Sequence, residues 1–152
     1  MEAPCPPPLK ALAQACATLQ RESFPYQAWE PSFFEHFLIS PHGRGVLAMD
    51  ASQFVGFFLY QQILDAGEVL TFAVSKTFQG QGIGQRLLER AIAQARTLNL
   101  QALYLEVKDG NDAACYLYQK YGFSHIGTRP GYYQSSPGNP KDALLLRLDI
   151  SK

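Results

Sequence analysis

No run of this chain is long and apolar enough to span a membrane, and its start lacks the basic-then-apolar pattern of a targeting peptide. Cysteine is scarce: Cys5, Cys16 and Cys115 are too few and too scattered for a disulfide framework or a zinc site. The three histidines, His36, His42 and His125, show no metal-ligand spacing, so no metal is expected. Neither sign of charge dominates, since thirteen Lys and Arg face thirteen Asp and Glu. That balance gives no global pull toward nucleic acid or an anionic membrane. No internal repeat or linker divides the sequence. The expectation is one domain over residues 1–152, in a reduced cytoplasmic setting, as a monomer or weak dimer. Residues 1–8, with Pro4, Pro6, Pro7 and Pro8, read as a loose lead-in.

What is present is a mixed alternation of helices and strands. Leu9 to Gln20 is rich in alanine and leucine and reads as a helix, broken at Phe24-Pro25-Tyr26 because the residue before a proline avoids helical backbone. Pro31 to Ile39 has proline near its start and Phe33, Phe34, Phe37 and Leu38 at helical spacing. Gly45–Met49, Gln53–Leu64 and Glu68–Ser75 read as a meander of three strands with turns at Asp50-Ala51-Ser52 and Asp65-Ala66-Gly67. A helix marked by Ile83, Leu87, Leu88, Ala91, Ile92, Ala95 and Leu98 follows. Gln101 to Lys108 alternates, with Leu103, Leu105 and Val107 on one side and Tyr104, Glu106 and Lys108 on the other. Asn111 caps a short helix, Asp112 to Tyr121, closed by Gly122. Phe123–Thr128 and Ala143–Ile150 complete the set, joined by a long polar loop from Arg129 to Asp142. The class is α/β with a mixed central sheet flanked by helices, and Glu68 to Lys108 forms a parallel strand–helix–strand crossover.

The turn of that crossover carries the chemistry. Phe72-Ala73-Val74 leads into Gln79-Gly80-Gln81-Gly82-Ile83-Gly84, with three glycines at alternate positions, and the helix begins at once. Glycines let backbone approach a ligand, and a helix start aims unpaired N–H groups outward, so a phosphate is the natural occupant. An ATP-binding P-loop needs a Lys-Ser or Lys-Thr pair that is absent, and in the dinucleotide fingerprint the third glycine would fall on Gln85.

The loop does match Gln-x-x-Gly-x-Gly, as Gln79, Gly82 and Gly84, and so resembles the acetyl-CoA-binding motif of the GNAT acetyltransferases. Downstream, Leu105-Glu106-Val107, Asn111, Leu117-Tyr118, Gly122-Phe123, Arg129 with Tyr132-Tyr133, and Asp142-Ala143 are similar to its RimI-type branch, which acetylates the N-terminal alanine of a ribosomal protein. Phe24-Pro25 with Tyr26 or Trp29 fits the same branch at altered spacing. The resemblance runs from about Phe54 to Ile150. It departs where the family's first strand would fall, in proline-rich Glu2 to Leu9, and where Gln81 and Gln85 replace arginines common in relatives.

The resemblance implies a GNAT-like acyl-CoA N-acyltransferase fold and direct acetyl transfer from acetyl-CoA to an N-terminal α-amine. Glu106 is then the general base and Tyr118 the general acid, although Tyr116 and Tyr121 crowd the same helix. Cofactor binding falls to Phe72, Ala73, Val74, Gly80, Gln81, Gly82, Ile83, Gly84, Gln85 and Asn111, and phosphate binding leans on backbone amides. The implied partner is the N-terminal peptide of a ribosomal protein, lined by Tyr132, Tyr133 and the Phe24-to-Trp29 segment; no direct nucleic-acid or membrane partner is expected. Glu22, Glu30, Asp65 and Glu68 are candidate acidic contacts for a basic peptide. Cys115, one turn before Tyr118, reads as a packing residue with no histidine placed as its base. A small-molecule amine or lysine side chain as acceptor, and a non-catalytic CoA-binding module, are the competing readings.

Overall fold

A computed structural model describes residues 8–25, 28–134 and 140–150. The lead-in before Pro8, Tyr26 and the stretch 135–139 lie outside them. In chain order the elements are α1 (Leu9–Ser23), α2 (Pro31–Ile39), β1 (Gly43–Asp50), β2 (Gln53–Ile63), β3 (Ala66–Val74), a short 3-10 turn (Lys76–Phe78), α3 (Ile83–Thr97), β4 (Ala102–Lys108), α4 (Asp112–Lys120), β5 (Ser124–Gln134) and β6 (Pro140–Asp149). The six strands form one mixed sheet in the order β1-β2-β3-β4-β6-β5.

Local chemistry sets the boundaries. Pro8 precedes α1, and the Phe24 N–H closes its end on the Gln20 carbonyl at 2.8 Å before Pro25. Pro31 opens α2, where its missing N–H is no loss. Ala51, at φ +54, turns the β1–β2 hairpin.

Two boundaries differ from the sequence reading. β3 starts at Ala66, inside the expected turn, because Leu64 takes the left-handed conformation at φ +55 and completes the reversal earlier. The expected polar loop from Arg129 to Asp142 is largely strand: β5 runs to Gln134 and β6 begins at Pro140. The family's first strand is expected between Glu2 and Leu9; residues 2–7 lie outside the described ones, Leu9 belongs to α1, and among the described residues β1 forms the sheet edge.

The sheet separates two apolar layers. Phe58 and Tyr60 join Leu87, Leu88, Ala91 and Ile92 of α3 and Tyr118 of α4 on one face. Phe57 and Leu59 join Ala13, Cys16 and Ala17 of α1 and Phe34 of α2 on the other. Because β2 is covered on both faces, Val55 to Tyr60 reads as an unbroken apolar run. Each such fully buried Phe stabilises the fold by about 1.5–3 kcal/mol.

One irregularity positions the site. β3 and β4 are parallel, but their ladder covers only Ala66–Glu68 against Ala102–Tyr104. Just beyond, Tyr60 of β2 pairs with Val69 while Leu59 pairs with Thr71, leaving Leu70 as an extra residue. A bulge of this kind bends its strand and increases its twist. β3 and β4 therefore part company after Glu68, and a cleft opens between them.

Candidate active site

The cleft is a cavity of about 640 Å³. Its walls are β3 from Val69 to Val74, β4 from Leu105 to Lys108, the glycine loop with the start of α3, the start of α4, and the segment after α1.

At one end lies the glycine loop. Gly80 and Gly82 have φ of +81 and +80, a conformation that other residues adopt at a cost, and nothing lies within 4 Å of where their Cβ atoms would be. Gly82 is the N-cap of α3 and no side chain caps the helix. The first bond of the helix runs from the Arg86 N–H to the Gly82 carbonyl at 3.1 Å. The N–H groups of Ile83, Gly84 and Gln85 precede it and have no partner within the helix. Gln79 braces the loop, its Nε2 donating to the Val74 carbonyl at 3.1 Å. An uncapped helix start with glycines around it attracts an anion through both its N–H groups and its dipole.

Glu106 and Tyr118 line the same cavity from β4 and α4. Period-two alternation turns Glu106 away from buried Leu105 and Val107 and leaves it partly exposed. Its carboxylate does not pair with Lys108: Oε1 sits 3.0 Å from Nη2 of Arg129 on β5. Tyr118 is 7% exposed and packs its ring on Phe72 and Phe123, at 6.2 and 5.5 Å between centroids. The neighbouring tyrosines of α4 face elsewhere, Tyr116 into solvent and Tyr121 onto Glu89 of α3 through its hydroxyl. Asn111 lines the cavity and also caps α4, accepting from the Ala114 N–H at 3.3 Å. Phe72, Ala73 and Val74 present main chain to the cleft on the side where the β3–β4 ladder has ended.

Other sequence candidates fall outside it. Gln81 and Gln85 do not line the cavity; Gln85 turns along its helix to Glu89 at 3.2 Å, and Gln81 lies against a shallower groove beside β1. Asp65 lies at the opposite end of the sheet, its carbonyl accepting from Gln101, and Glu68 belongs to the paired stretch of β3. Glu22 and Glu30 flank the segment bearing Phe24, Pro25 and Trp29, which does line the cavity. Cys115 packs against the core, and burial, aided by Asp112 and Asp109, pushes its thiol up, away from the reactive thiolate. Among the described residues no cluster of His, Cys, Asp and Glu is arranged to hold a metal, and no helix is long and apolar enough to cross a membrane.

Three contributors were not singled out from sequence. Lys76 and Lys108 bring cations to the cavity wall, and buried Gln20 accepts a hydrogen bond from the Thr71 hydroxyl behind β3. Lys108 shares the strand face of Glu106 and was legible in that pattern. Lys76 and Gln20 carry no comparable signal. Among the described residues Glu106 is the sole carboxylate lining the cavity.

Comparison with known proteins gives a consistent result. Residues 11–123 match the model of the acetyltransferase (GNAT) family. The chain is 38% identical over 148 residues to the N-alpha-acetyltransferase RimI of Mycobacterium tuberculosis, covering 92% of this chain and 88% of that one. It is 34% identical over 98 residues to the ribosomal protein bS18-alanine N-acetyltransferase of Haemophilus influenzae, a match spanning 64% of this chain and 66% of that enzyme, just under two thirds of its length. The crystal structure of the ribosomal-protein-S18-alanine N-acetyltransferase from Escherichia coli superimposes with a TM-score of 0.84 at 26% identity, over 92% of this chain and 88% of that one.

Proposed function

The chain belongs to the GNAT family of acetyltransferases, and on that premise we propose that it acetylates the N-terminal alanine of a ribosomal protein of the bS18 type, with Glu106 and Tyr118 handling the protons. As an acetyl-CoA-dependent N-acetyltransferase it needs a phosphate cradle, a groove for an extended thiol arm and a way to manage protons at an amine. The observation that carries the assignment is the cavity itself, where the uncapped start of α3, Glu106 and Tyr118 line one continuous space.

The residues present suit the co-substrate. Side chains are missing at Gly80 and Gly82 where a Cβ would project into open space, and the backbone of β3 beyond Glu68 has no strand neighbour on the cleft side. Acetyl-CoA, when bound, supplies an acyl thioester activated for attack by an amine. The amides of Ile83, Gly84 and Gln85 would hold phosphate oxygens, with Lys76 on the same cavity wall to neutralise charge. Main-chain groups of Phe72, Ala73 and Val74 would hold the arm in the place of a missing strand, and one N–H there would serve the thioester oxygen as a small oxyanion hole. Asn111 lines the same stretch.

Glu106 Oε atoms accept the proton that the acceptor amine gives up, directly or through a water. An α-amine has a pKa of about 7.7–8.0, so a carboxylate suffices as base near neutral pH. The Tyr118 hydroxyl donates a proton to the departing sulfur, and its ring contacts hold it in place. Phe24, Pro25 and Trp29 bound the acceptor side.

The test is to supply acetyl-CoA with an Ala-starting ribosomal peptide beside a polyamine or an aminoglycoside, and to follow thiol release. Turnover with the peptide alone is expected. Release with the small amines only would sink the ribosomal acceptor, and CoA binding with no turnover on any amine would favour a regulatory module.

A further inference from the structure

The partner of Glu106 comes from two strands away. β6 lies between β4 and β5, and its Ala143 pairs with Lys108 on one side and Arg129 on the other, while Leu145 pairs with Glu106 and Gly127. Directly opposite residues share a face of the sheet, so Glu106, Lys108 and Arg129 all stand on one face. Between Lys108 and Arg129 that face carries only the methyl of Ala143, with Leu145 beside it leaning over Gly127, and the Arg129 side chain reaches the Glu106 carboxylate at 3.0 Å.

The arginine is itself held. Its Cζ stacks 5.3 Å from the centre of the Tyr132 ring. β5 carries two extra residues between Arg129 and Tyr133, with Gly131 at φ +63 and its N–H donating to Asp142 Oδ1 at 2.8 Å. This anchored bulge brings Tyr132 back over the guanidinium. A planar cation that stacks and pairs at once is a task that arginine performs and lysine does not.

We propose that Arg129 determines acceptor specificity: by occupying the Glu106 carboxylate with a fixed cation, it makes the site favour an amine that arrives neutral over one that arrives as ammonium. The proposal rests on Glu106 being the proton acceptor. At pH 7.5 roughly a third of α-amines are neutral, against about one lysine ε-amine in a thousand, from their ordinary pKa values. A carboxylate without a cationic partner attracts an ammonium and draws lysines in; one already paired offers that attraction in reduced form. The other charged or titratable groups near Glu106 reinforce this. Lys108 and Lys76 line the cavity as further cations, Tyr118 faces it from α4, and the next residue along the same face, Tyr104, has its hydroxyl bonded by Arg147 of β6 at 2.8 Å.

The experiment compares wild type, R129M, R129K and E106Q on two peptides: an Ala-starting peptide without lysine, and the same sequence with a blocked N-terminus and one lysine. kcat and KM are measured from pH 5 to 9.5. In R129M the ratio of kcat/KM for the α-amine over the lysine should fall by about two- to fivefold, the scale of a partly exposed ion pair. R129K keeps the charge without the stacking and should restore the ratio only in part. R129Q reads the same ratio if R129M does not fold. An unchanged ratio in R129M, with E106Q still impaired, would overturn the role of Arg129 and leave Glu106 as base. Wild-type activity in E106Q at neutral pH would instead remove the base assignment on which the proposal stands.

Discussion

Replacing Gly84 by alanine should raise stability slightly and leave the binding of acetyl-CoA little changed, whereas alanine at Gly82 should weaken both, and the contrast comes from where each added methyl points. Gly84 is the second residue of α3. A Cβ there would meet Phe72 Cζ at 3.6 Å and Val74 Cγ2 at 3.7 Å, ordinary contacts that require no movement. Glycine within a helix costs roughly 0.5–1 kcal/mol relative to alanine, and the gain at a first-turn position lies at the lower end of that range. For a chain of this size the melting temperature should therefore rise by about 1–2 °C. Gly82 is the contrast. Open space surrounds its missing side chain, but at φ +80 an L-residue pays about 1–2 kcal/mol, so G82A should lower the melting temperature by roughly 3–6 °C.

The binding side follows from where each new methyl points. At Gly84 it meets Phe72 and Val74 and stays off the loop, whereas at Gly82 it enters open space beside the N–H groups of Ile83, Gly84 and Gln85. If those groups meet phosphate oxygens, G82A should lose about tenfold in affinity, roughly 1.4 kcal/mol. Thermal melting with and without CoA, together with calorimetric titration, reads both effects. A G82A protein that binds CoA as tightly as wild type would refute the cradle. A clear fall in the melting temperature of G84A would refute the packing argument.

Three further outcomes follow. Y118F keeps the ring contacts with Phe72 and Phe123, so turnover should fall by roughly tenfold or more with the KM for acetyl-CoA little changed; a collapse in affinity would make Tyr118 a structural contact. K76Q should weaken CoA binding by about two- to fivefold at low salt and by less at high salt, and an equal loss at all salt concentrations would exclude a charge contact. Burial pushes both the Cys16 thiol, from 9.0, and the Tyr60 phenol, from 10.0, up to about 12. Both groups favour the neutral folded form, so their contribution is complete below about pH 9 and is lost as pH rises toward 12. C16A should show a shallower decline in urea stability over that range, and an identical slope would count against burial of the thiol.

Most of the element order was legible because it depends on local signals: helical spacing in α3, alternation in β4, and proline at the ends of α1 and α2. The hairpin of β5 and β6 was not. Pro130, Gly131 and the polar residues after them have the composition of a loop, and only pairing with β6 across a register with extra residues makes strand of Arg129 to Gln134. For the site, Glu106 and the glycine loop stood out in sequence, since each lies in a pattern with a fixed period. The Arg129 contact could not be read, because β6 enters the sheet between β4 and β5 out of chain order. Gln81 and Gln85 adjoin the loop in sequence, yet neither lines the cleft: Gln85 turns along α3 to Glu89, and Gln81, which precedes the helix, lies against the groove beside β1.

A cleft between two parting strands would close if nothing held them apart, and the two apolar layers explain why this one stays open. β3 beyond the Leu70 bulge has lost its ladder to β4 but keeps its ladder to β2. Successive residues of that free stretch point to opposite faces. Thr71 turns toward α1, where it is buried and its hydroxyl donates to Gln20. Phe72 turns toward α4 and the α3 layer, with ring centroids 4.9 Å from Phe58 and 6.2 Å from Tyr118. The strand is thus clamped from both faces while one backbone edge stays available. Tyr118 belongs to the clamp and to the cavity wall together, so the residue proposed to protonate the sulfur is also one that fixes the width of the groove. This coupling ties proton transfer to the geometry of the cleft, and it requires that a substitution at Phe72 disturb turnover through Tyr118 even though the Phe72 side chain itself is packed into the core.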